Sequence, residues 1–77
     1  MHLNWYDQRL LAFVLDWAPR SEPPNDESRG WFGVDTRRVM QRFDAVVDVC
    51  TTHPIHLEEP DLSLVRRAAD FRAAHPN

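Results

Sequence analysis

The chain has 77 residues and a formal net charge of −3, with 9 basic and 12 acidic side chains. That length predicts one small domain over residues 1–77, with a thin core burying about 60% of the unfolded chain's surface. A large enclosed active site is excluded, and the charge balance excludes a strongly basic nucleic-acid coat protein.

The first predicted element is a helix over residues 4–18. Leu3, Tyr6, Leu10, Phe13 and Trp17 recur at spacings of three and four, and Leu11, Val14 and Leu15 widen the stripe. Asn4, Gln8, Ala12 and Asp16 form the wettable face. Asn4 is the expected N-cap, Asp7 suits the positive helix end, and Pro19 stops the ladder. The stretch 19–30, PRSEPPNDESRG, reads as a loop whose second half coils into a short helix over 25–32. There Asn25 is the expected cap, and Trp31 and Phe32 are expected to turn inward. Gly33 then fits the left-handed position after a helix end.

The clearest helix spans 36–50. Val39, Met40, Phe43, Val46, Val47 and Cys50 share one face, and Asp35 is its expected N-cap. Residues 51–60 carry two prolines and read as a connection, with one turn around 55–58. A last helix is predicted over 61–74, with Leu62, Leu64, Val65, Ala68 and Phe71 inward and Pro60 at or just before its first turn. No segment alternates with period two. The fold class is therefore all-α, a small bundle of three to four helices. A short helix, a glycine-bearing turn and a longer amphipathic helix make a helix-turn-helix, whose second helix can enter the major groove of DNA.

The exposed N-terminal half of that second helix carries the first candidate site: Thr36, Arg37, Arg38, Gln41 and Arg42. Arginine binds guanine bidentately, glutamine binds adenine, and threonine reaches a phosphate or a thymine methyl. Arg66 and Arg67 are candidates for further phosphate contacts. Asp44 and Asp48 follow on the same helix and would repel phosphate, so its charge runs from positive to negative. The competing reading is a solvated helix face. All 9 basic residues are arginine and lysine is absent. GC-rich codon usage is the simpler reason, with selection for bidentate contacts as the alternative.

Aromatics at helical spacing are expected in the core, Trp17, Phe32 and Phe43 among them. An exposed Trp5 would instead mark a protein interface, with Leu11 and Leu15 beside it. Cys50, His53 and His56, near Glu58 and Glu59, are zinc-type ligands, but the spacing is not the usual paired pattern. Cys50 also sits on the apolar stripe as a small hydrophobe, so no metal is expected. No nucleophile elbow, phosphate loop or zinc-protease helix is present, so no enzyme and no cofactor are expected. No stretch approaches the roughly 20 apolar residues of a membrane span. No signal peptide is read at the start. The lone Cys50 forms no intrachain disulfide, which predicts a cytoplasmic setting.

Phe32 and Gly33 at the turn, Arg38, Gln41 and Asp48 on the long helix, and Leu64-Val65-Arg66-Arg67 on the last carry a likeness. Over residues 31–72 the chain resembles a family of small actinobacterial domains of unknown function. Asp35 stands where that family usually has serine, Val39 and Met40 where it has two tyrosines, and Asp44 where it has asparagine. The connection before Pro60 is longer here. The resemblance implies a helix-turn-helix-like domain from a GC-rich actinobacterium or a virus of one. It implies no reaction and no cofactor, and it leaves out the N-terminal helix.

The resulting expectation is a small DNA-binding protein that regulates transcription, working as a homodimer if binding is specific. The alternative is a protein-interaction module on the same fold, such as a phage or bacterial factor that occupies a host protein.

Overall fold

The computed structural model describes residues 3–18, 22–52 and 57–74. Four helices occur among them: α1 (Trp5–Trp17), α2 (Asn25–Phe32), α3 (Thr36–Thr52) and α4 (Asp61–Ala74). No strand is present among the described residues. The protein is a small all-α bundle. His53 and His56, two of the three zinc-type ligands, lie outside the described residues, as does part of the turn expected around 55–58.

Three of the four helices, α1, α3 and α4, start where a side chain can satisfy an unpaired N–H group. The Asn4 Oδ1 accepts from the Asp7 N–H at 2.8 Å. The Asp35 Oδ1 accepts from the Arg38 N–H at 3.0 Å. At α4 the Glu59 carboxylate accepts from the Ser63 N–H at 2.9 Å and bonds the Ser63 hydroxyl. Asn25 departs from expectation. Pro24 is the capping position of α2, and the Asn25 Oδ1 instead accepts the N–H of Thr36 at 3.0 Å. The amide of Asn25 thus serves the start of α3 rather than its own helix.

The core gathers one stripe from each long helix. Leu10, Leu11, Val14 and Leu15 come from α1, Val39, Phe43, Val46 and Val47 from α3, and Val65 and Ala68 from α4. Phe43 meets Phe71 edge to face at 5.9 Å. Helix α3 packs against all three others, and α1 also packs on α4. Phe32 joins α2 to α1 through edge contacts with Tyr6 at 5.5 Å and Phe13 at 5.2 Å.

Buried polar ties run between the helices. The Asp61 side chain is almost wholly buried, and accepts from the Leu3 N–H at 3.0 Å and the Gln8 Nε2 at 2.8 Å. It pins the start of α4 to the start of α1.

Three aromatic or aliphatic expectations are overturned. Leu11 and Leu15 are buried, so they face the core and form no outer interface. Trp31 is 60% exposed, because α2 is short and turns Ser28 and Phe32, not Trp31, toward the interior. Trp17 is half-buried at the end of α1, outside the core cluster. Leu11→Ala is expected to lower stability by about 2–5 kcal/mol. The fall in the urea unfolding midpoint measures it, and a leucine on an outer interface would leave that midpoint in place.

Candidate functional site

The unit α2–turn–α3 is held by its turn chemistry. Gly33 ends α2 in the left-handed region at φ 73°, and its N–H donates to the Arg29 carbonyl at 2.9 Å. Glycine takes this conformation without the Cβ clash that other residues meet there.

A buried hydroxyl pair fixes the two helices across the turn. The Thr36 hydroxyl donates to the Pro23 carbonyl at 2.6 Å. It lies 2.7 Å from the Ser28 hydroxyl. Thr36 has a single hydroxyl proton, already given to Pro23, so Ser28 is the donor and Thr36 the acceptor. Thr36 is therefore a structural residue, buried with both its hydroxyl and its N–H spoken for. That corrects its expected place on a DNA-facing surface.

Arg42 is also committed. Its Nε and Nη2 donate to the two Asp7 carboxylate oxygens at 2.9 and 3.1 Å. Its side chain stays 50% exposed while that of Asp7 is 10% exposed. The Asp7 hydrogen bond, with the carboxylate charge behind it, raises the Arg42 guanidinium above its ordinary value. The fork that would grip a guanine edge closes on α1 instead.

What stays outward on the front half of α3 is Arg37, Arg38 and Gln41, all exposed. Among the described residues their side chains form no ion pair or hydrogen bond. Arg66 and Arg67 are exposed on α4, opposite the inward Val65 and Ala68. The acidic back half of α3 is partly neutralised, since Arg72 bonds the Asp48 carboxylate at 2.5 Å and the Asp44 carbonyl at 3.1 Å. Asp48 thus repels a phosphate less than its position on the helix suggests.

A second surface lies between α1 and α2. An open groove of about 570 Å³ is lined by Trp5, Arg9, Trp17, Trp31 and Phe32, with Asp16 and Glu27 also on it. Trp5 is 67% exposed. The Arg9 guanidinium lies over both indoles, 5.0 Å from the Trp5 ring centre and 5.7 Å from that of Trp31. Sequence reasoning singled out Trp5 but missed Arg9, Trp31 and Trp17 as its companions. The signal for Arg9 was its place one turn after Trp5 on the wettable face.

Among the described residues no cluster could hold a metal ion. Burial pushes the Cys50 thiol above its ordinary value, with the Asp7 and Asp61 charges adding to the shift. No helix among the described residues is long and apolar enough to cross a membrane. Neither a family model, nor a curated protein, nor a solved structure matches the chain.

Thr36→Val is expected to cost about 1–3 kcal/mol, because the Ser28 hydroxyl then loses its acceptor inside the bundle. Thr36→Ser should recover most of that loss in urea unfolding. Arg42→Ala should cost a similar roughly 1–3 kcal/mol by stranding the Asp7 carboxylate, whereas Arg38→Ala should stay within about 0.5 kcal/mol. Cys50 is expected to react with a thiol reagent at pH 8 more slowly than free cysteine, because its raised value leaves less thiolate. Unfolding in urea should abolish that difference.

Proposed function

We propose that the protein is a small helix-turn-helix DNA-binding protein that regulates transcription. The observation that carries this reading is the front of α3. Arg37, Arg38 and Gln41 stand exposed together just after a doubly served helix start, while the opposite face of the same helix is locked into the core. A recognition helix needs this combination of free, hydrogen-bonding side chains on a rigid rod. Arg37 or Arg38 would read a guanine edge and Gln41 an adenine edge. Arg66 and Arg67 would sit on phosphates, which set affinity without reading sequence. On α3 itself, Arg72 beside the Asp48 carboxylate makes that acid repel a nearby phosphate less than a lone carboxylate would.

A second reading is an interaction module that occupies another protein. One observation favours it: Trp5 and Trp31 are exposed on a common groove, and tryptophan is an enriched anchor at interfaces.

Filter binding at about 50 mM salt, repeated at higher salt, tests the first reading. Arg37→Ala with Arg38→Ala is expected to lower affinity at least tenfold, at about 1–3 kcal/mol for a lost base contact. Each lost phosphate contact should flatten the salt slope by about 0.9. No binding at low salt, or binding untouched by the double substitution, would refute DNA recognition by α3.

A further inference from the structure

The exposed face of α1 has an internal symmetry of its own. Trp5, Arg9, Ala12 and Asp16 follow one another at spacings of four, three and four. That spacing sets them in one nearly straight outward stripe. All four are exposed and all four line the groove. The cation lies before the small residue and the carboxylate after it.

We propose that this groove is the seam of a homodimer in which α1 packs antiparallel on α1 of a second copy, crossing at Ala12. With a two-fold axis through the crossing, Arg9 of each copy faces Asp16 of the other, so the contact is made twice by the same pair. A parallel arrangement would set arginine on arginine and aspartate on aspartate, which like-charge repulsion opposes. Ala12 carries only a methyl group, so two helices can approach there to the roughly 8 Å of close helix packing.

The apolar contribution comes from the indoles. Trp5 and Trp31 are 67% and 60% exposed. Two from each copy supply a large share of the roughly 1,200 Å² that a specific interface needs. Arg9 is already laid across both rings, so little further side-chain ordering is needed on association. This inference rests on the second reading, the groove as an interaction surface, and names its partner as another copy of this chain. It does not depend on DNA binding by α3.

Sedimentation equilibrium of the full chain tests it, with circular dichroism confirming that each variant is folded. The wild-type chain is expected to show a monomer–dimer equilibrium. Arg9→Asp and Asp16→Arg should each weaken dimerisation at least about tenfold through like-charge contact. The double swap should restore it to within about threefold of wild type, which a merely unfolded single variant would not do. Ala12→Gln keeps good helix propensity and should also weaken the dimer by blocking the crossing. A wild-type chain that stays monomeric up to about 1 mM overturns the proposal and leaves the groove to a different protein. Dimerisation that survives both Arg9→Asp and Ala12→Gln places the seam elsewhere and overturns it too. Arg38→Ala should leave self-association unchanged, so failure of the DNA reading and failure of this one are read separately.

Discussion

The bundle depends on the burial of one face of α3. It packs against all three other helices, and its Val39, Phe43, Val46 and Val47 sit at the middle of the apolar cluster. In a chain this short, no second core can compensate for a fault in that stripe. The same constraint defines the candidate site. A helix fixed along one face by its neighbours presents the other face rigidly, so Arg37, Arg38 and Gln41 project from a scaffold that does not rotate.

Polar side chains do much of the alignment that a thin core leaves undone. Asp7 with Arg42 ties α1 to α3, Asp61 with Leu3 and Gln8 ties α4 to α1, and Thr36 with Ser28 and Pro23 ties α3 to α2. Apolar contact alone is nondirectional and tolerates sliding. Hydrogen bonds with fixed geometry set the register of one helix on the next. Among the described residues no buried side-chain nitrogen or oxygen lacks a partner, so these ties are complete. They also place charges in pairs: Asp7 answers Arg42 and Asp48 answers Arg72, which leaves the net charge at −3 but sets a cation beside each of these two acids.

The candidate site was legible in part. The outward placement of Arg37, Arg38 and Gln41 follows from helical period alone, because each lies opposite Phe43 on α3. Thr36 and Arg42 read equally well as wettable, yet both are engaged by other helices. Thr36 lies at the α2 junction, and Arg42 lies on the flank toward α1, where Asp7 waits. Asp7 carried a signal of its own. It falls on the inward side of α1, between the positions of Val14 and Leu11, where a lone carboxylate needs a cation. Leu11 and Leu15 could not serve as both stripe and interface, and the core took them. Trp31 shows the converse: a short helix turns one aromatic, Phe32, toward its neighbour and leaves the other in solvent.

By itself the sequence determined the helices, the Asn4 and Asp35 caps and the inward stripes. Those are local matters, set by the 3.6-residue period, by proline and glycine, and by a side chain's reach to a backbone N–H three residues on. It also determined the helix-turn-helix order through Gly33 and Asp35. Tertiary structure alone decided which polar residues are free and which are spent, because Thr36, Arg42, Asp61 and Asn25 find partners many residues away in the chain. It alone decided that Trp5, Trp17 and Trp31 meet on one groove with Arg9 between two of the rings. Pairings of that kind depend on how helices cross, and the period of a single helix carries no information about the crossing.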